Sequence, residues 1–135
     1  YIVSMCGFWA MLGTIQMTPG RLIEMRRSEQ IAAGKVLGLK EVVFLSYEDS
    51  MLQPTLDLRR DIAKQIRKHK PHILISPSPV RSLNGTGYIG HPDHLAAGEA
   101  TFSAVFPTAR DRFTFPELLD EGLEPHLDIG IAISC

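Results

Sequence analysis

The sequence is poor in the features that would assign it to a special class. Of its 135 residues two are cysteine, Cys6 and Cys135, and one is tryptophan. Two cysteines near opposite ends cannot make a disulfide framework, and their spacing is no zinc motif. A reducing compartment fits that usage. The formal net charge is only -1, so electrostatics give no reason to expect nucleic acid as the main partner. The apolar first 17 residues lack the basic leader of a signal peptide, and Gly7, Gly13 and Gln16 interrupt them. No run reaches the ~18 apolar residues of a membrane span, so strand plus loop is the reading there. No internal repeat, low-complexity tract or linker is seen. What remains is an ordinary globular composition, 44% apolar and 21% charged. It argues against disorder and suffices for one domain with one core.

Strands and helices alternate. Ile2 to Cys6 reads as a strand. Thr18 and Pro19 suit the start of a helix carrying Leu22, Met25, Ala32, Ala33, Val36 and Leu37 at helical period, with Gly38 as its stop. Glu41 to Tyr47 lacks alternation, as a buried parallel strand does. A second helix starts near Thr55, carries Leu58, Ile62 and Ile66, and ends in Lys68, His69 and Lys70 before Pro71. His72 to Ser76 is another buried-type strand. A glycine- and proline-rich loop spans 77–90, and a third helix runs from Pro92 through Val105. A short turn covers Pro116 to Asp120, stopped by Gly122, and the last strand lies near 128–134. This order predicts a Rossmann-like α/β fold, a three-layer sandwich with a mostly parallel sheet. In such sheets the site lies beyond the carboxyl ends of the strands, where Asp49, the 77–90 loop and the start of the third helix fall.

The densest chemistry is Gly90-His91-Pro92-Asp93-His94. It follows a glycine-rich loop and opens a helix. It sets two imidazoles three residues apart on one helical face, with a carboxylate between them. Imidazole is a common metal ligand, and a neighbouring carboxylate can fix its tautomer. Gly85-Thr-Gly87-Tyr-Ile-Gly90 also matches G-x-G-x-x-G. A dinucleotide fingerprint, however, follows its strand directly and needs an acidic residue at the next strand's end, and neither holds here. Arg26, Arg27 and Glu29 read first as a solvated helix face and Asp49 as turn chemistry.

Taken together, Arg26-Arg-Ser-Glu29, Val42-Val-Phe-Leu-Ser-Tyr-Glu-Asp49, Ile66-Arg-Lys-His-Lys-Pro71 and Gly90-His-Pro-Asp-His94 resemble the PIG-L/LmbE-like family of zinc-dependent N-deacetylases. The resemblance covers about residues 18–126. It implies a hydrolase that removes acetyl from an N-acetylglucosaminyl substrate. His94 would be a zinc ligand and His91 the histidine that stabilises the intermediate and protonates the amine. Asp93 would be its orienting carboxylate, and Arg26, Asp49 and Tyr88 would contact substrate. The implied cofactor is zinc and the implied partner a small N-acetylated amino-sugar conjugate. A cytoplasmic location and assembly with a second copy of the chain are compatible expectations.

The family's first strand ends in His-Pro-Asp-Asp, which supplies two zinc ligands and the general base; no such motif occurs here. Ser76-Pro-Ser-Pro79 stands where the family often has Thr-His-Asp-Pro. One zinc ligand of three is therefore visible. The chain begins with Tyr1 rather than Met and starts and stops in strand-like sequence. The expectation is a partial domain lacking its first strand, weak in zinc binding and inactive by itself. The alternatives are a non-catalytic sugar-binding module and, behind it, a nucleotide-binding domain using Gly85 to Gly90.

Overall fold

A computed structural model describes residues 2–6, 18–81 and 90–134. The chain divides into two compact units, residues 1–51 and 52–135.

In the first unit, β1 (Ile2–Cys6) pairs in parallel with β2 (Val42–Tyr47), and α1 (Pro19–Val36) connects them. Parallel neighbours need such a crossover. The register runs Ile2 to Val42, Val3 to Val43 and Ser4 to Phe44, and then slips before Cys6 meets Tyr47. Gly34 lets α1 approach β2, since a Cβ there would lie 2.8 Å from the Val42 side chain. The Arg27 guanidinium stacks 5.0 Å above the Phe44 ring. Two local expectations are corrected. The Thr18 side chain makes no capping bond; the first turn closes instead by Leu22 N–H donating to the Thr18 carbonyl at 3.1 Å. Nor does α1 bury its apolar period. Leu22 is buried, but Ala32, Ala33 and Leu37 are exposed, and Val36 is 88% exposed. Among the described residues of this unit, α1 has only the narrow β1–β2 pair to pack on. Gly38 does adopt the left-handed conformation, φ +68.

In the second unit, α2 (Leu56–His69) leads to β3 (Ile73–Pro77), then to α3 (Pro92–Ser103), α4 (Glu117–Asp120) and β4 (Gly130–Ser134). β3 and β4 are parallel, from Ile73 opposite Gly130 to Pro77 opposite Ser134. Every pairing among the described residues is thus parallel, in two two-stranded sheets. The core is built from Leu58, Ile62, Ala63 and Ile66 of α2 and Ala96, Ala97 and Ala100 of α3, closed by Val105, Leu118 and Ile129. Each large aliphatic side chain contributes about 1.5–3 kcal/mol by leaving water. Thr55 caps α2, accepting from Leu58 N–H at 3.2 Å. Gly122, φ +76, ends α4. The third helix stops earlier than its composition suggests. Beyond Ser103 the helix kinks: Phe106 is extended (φ -140, ψ 125) ahead of Pro107, and Ala109 N–H closes the turn by donating to the Ala104 carbonyl at 2.7 Å. β3 is not buried on both faces: Ser76 is covered, whereas Ile73 and Ile75, on the opposite face, are 69% and 73% exposed.

Arg67 ties the unit together from its centre. Its side chain is 1% exposed. It donates to the carbonyls of Thr108 at 2.8 Å, Asp111 at 2.5 Å and Thr114 at 3.3 Å, with Leu123 at 3.5 Å. Burial pushes this guanidinium down from its ordinary range, while the Asp111 and Glu124 carboxylates pull it back up. Asp111 is held below the usual carboxylate range, first by the Thr114 hydroxyl and then by Phe113 N–H. A depressed native pKa means stability that is present above about pH 4, the unfolded value, and is lost as the pH falls through the native one. The melting temperature of the wild type is therefore expected to fall more steeply below pH 4 than that of Asp111→Asn. Parallel curves from scanning calorimetry would refute this.

Candidate functional site

The densest chemistry of the sequence stands at the start of α3. Gly90 takes φ +80, a value that favours glycine, and the Arg81 side chain donates to its carbonyl at 3.2 Å. The turn brings His91 to the N-cap position with extended backbone, and Pro92 occupies the first helical position. The cap is unusual in kind. The acceptor is the His91 ring itself, whose Nδ1 takes a hydrogen bond from Asp93 N–H at 3.2 Å. His94 N–H donates to the His91 carbonyl at 3.0 Å.

This arrangement fixes protons. An Nδ1 that accepts from a backbone N–H carries no hydrogen, so the neutral His91 ring holds its proton on Nε2. The Asp93 side chain is 2% exposed, and its Oδ1 lies 3.9 Å from His91 Nδ1. The expected orienting bond from Asp93 to the neutral ring is therefore replaced by the cap. Asp93 lies where it could accept from Nδ1 only if that nitrogen carried a hydrogen and gave up the cap bond. The His91 and His94 rings are 5.8 Å apart by centroid and tilted by 49°, and both residues are exposed.

The structure thus brings together His91, Asp93 and His94. Arg26 and Asp49 belong to the other unit. Arg26 forms an ion pair with Glu29 one turn on, at 2.6 Å, and Asp49 is half-buried. Tyr88, the glycines at 85 and 87, and residues 7–17 lie outside the described residues. Among the described residues, no group of three His, Cys, Asp or Glu side chains could hold a metal ion. None of their helices is long and apolar enough to cross a membrane. The sequence reading passed over Gly98, a buried glycine inside α3. Its signal was a glycine four residues after His94, in the interior of a helix where glycine is unfavourable.

Comparison with known proteins adds four likenesses. A family profile described as GlcNAc-PI de-N-acetylase (PIG-L) matches residues 7–105. The diacetylchitobiose deacetylase of Thermococcus kodakarensis is 33% identical over 108 residues, covering 79% of this chain and 38% of that protein. A probable N-acetyl-alpha-D-glucosaminyl L-malate deacetylase 2 of Bacillus anthracis is 35% identical over 86 residues, 62% of this chain and 35% of that one. A solved structure, the N,N'-diacetylchitobiose deacetylase of Pyrococcus horikoshii with its inhibitor MPG, superposes with a TM-score of 0.85 at 26% identity. It covers 97% of this chain and 47% of that one. The chain thus spans less than half the length of each of these proteins.

Proposed function

Given that the chain belongs to the PIG-L family of GlcNAc-PI de-N-acetylases, we propose that it carries the histidine-bearing part of an amide hydrolase acting on N-acetylglucosaminyl substrates. The observation that supports this most directly is His91, an exposed imidazole with its proton on Nε2 and a buried carboxylate 3.9 Å behind its Nδ1. Amide hydrolysis builds negative charge on the carbonyl oxygen and needs a proton for the departing amine. His91 Nε2–H can donate a hydrogen bond to the first and a proton to the second. Asp93 steadies the ring when it is doubly protonated. Arg26, Asp49 and Tyr88 are proposed to contact the sugar.

Zinc is the family's metal by resemblance, and the described residues do not by themselves fit it. A catalytic zinc takes three protein ligands and keeps an open position, whereas here only His94 is proposed as a ligand.

The test is acetate release from diacetylchitobiose and from N-acetylglucosaminyl malate by the full-length protein, with zinc measured by elemental analysis. Turnover that needs zinc, with zinc lost from His94→Ala, is the expected result. Zinc content undiminished in His94→Ala would remove that residue from the metal site. Saturable sugar binding without acetate release would instead favour a sugar-binding module that has lost catalysis.

A further inference from the structure

α3 rests on the end of β3 through bare backbone. A Cβ built at Gly98 would lie 2.7 Å from the Pro77 carbonyl oxygen, 2.8 Å from Pro79 N and 3.0 Å from Ser78 C. All three are main-chain atoms, so no side-chain rotation can make room. Ordinary contact begins near 3.4 Å, so even a methyl group would push helix and strand apart by roughly 0.7 Å. Gly34 offers the contrast: its nearest neighbour is the tip of the Val42 side chain, which can move.

The surface that receives Gly98 is stiff. Pro77 and Pro79 each have φ locked by their rings. Between them the Ser78 hydroxyl accepts from Val80 N–H at 3.1 Å. The next residue back, Ser76, is 1% exposed. The spacing along α3 does the rest. His94 and Gly98 are four residues apart and so lie in one stripe of the helix, and His91 stands at the N-cap just before it. The height of the stripe above β3 is set where it touches, and it touches at Gly98.

We propose that Gly98 is a positioning residue. By letting α3 meet the Pro77–Pro79 backbone directly, it fixes where the His91 and His94 rings stand relative to the carboxyl end of β3. The proposal rests on the deacetylase reading only in its kinetic part. A displacement of this size at reacting groups is costly, since about 1 Å of misplacement can lower a rate by about 10²-fold.

The experiment compares full-length wild type, Gly98→Ala, Ala100→Gly and Pro79→Ala. The readouts are thermal melting, kcat and KM for acetate release, and the ring C–H resonances of His91 and His94 by NMR. Ala100 is buried on the same helix and controls for lost stability. Gly98→Ala is expected to lower kcat by about 10–100-fold with little change in KM, and to shift both ring resonances. Ala100→Gly should melt earlier yet keep wild-type kcat and ring resonances. Pro79→Ala loosens the same contact from the strand side. It should shift the rings more mildly, and it decides the matter if Gly98→Ala does not fold. Wild-type kcat and rings in Gly98→Ala, an equal kcat loss in Ala100→Gly, or unmoved rings in Pro79→Ala beside an unfolded Gly98→Ala would each overturn the proposal. If the wild type releases no acetate, the deacetylase reading fails and the ring resonances alone judge Gly98.

Discussion

Arg67→Met is expected to destabilise the fold by about 4 kcal/mol or more, some 10³-fold in the folding equilibrium. Methionine fills much of the space but offers no donor. The carbonyls of Thr108, Asp111, Thr114 and Leu123, which now converge on one guanidinium, would lose their partner together. A buried acceptor left unmatched costs about 1–3 kcal/mol. Small domains have only about 5–15 kcal/mol in hand, so the variant sits near the limit of folding. Arg67→Lys keeps the charge and loses the planar fork that reaches several carbonyls at once. It should lose about half as much. Urea titrations check both. A midpoint for Arg67→Met equal to wild type at unchanged slope would show that water replaces the guanidinium without penalty.

His91→Ala is expected to lower acetate release by the full-length protein by about 10²–10⁴-fold while zinc is retained, as for loss of an acid that also stabilises the oxyanion. The same change removes the cap of α3 and should cost about 1 kcal/mol of stability. The two effects separate in His91→Asn. Asparagine is among the best N-cap residues, so this variant should recover the melting temperature and none of the turnover. Recovery of both would mean that His91 serves the helix alone. Wild-type kinetics in His91→Ala would remove it from the mechanism.

The order of elements was legible because punctuation and period agreed. Gly38 and Gly122 stop their helices at positive φ, and Thr55 begins its helix with the bond that its position implies. Thr18 shows the limit: the same residue type before a proline takes the cap position without making the cap bond. Burial was harder to read, because an apolar run says that a strand is apolar, not which face is covered. Ile73 and Ile75 lie on the uncovered face of β3, and Val36 extends past what α1 packs on. The site's core at Gly90 to His94 stood out by composition. Its inner workings did not, since a histidine ring acting as a helix cap has no sequence signature. Arg67 was invisible for a related reason: among Lys64, Lys68 and Lys70 it looks like one more solvated cation. Its burial follows from carbonyls contributed by residues far along the chain.

That distance has a consequence for a chain emerging from the ribosome. The carbonyls that satisfy Arg67 lie 41 to 56 residues downstream. Synthesis at about 5–20 residues per second delivers the last of them roughly 3–11 s after Arg67 itself. In that interval α2 can coil, since its hydrogen bonds are local, but docking its inner face would bury a cation with nothing to receive it. Leu58, Ile62 and Ile66 therefore stay open to solvent, and to chaperones, until the stretch through Leu123 has been made.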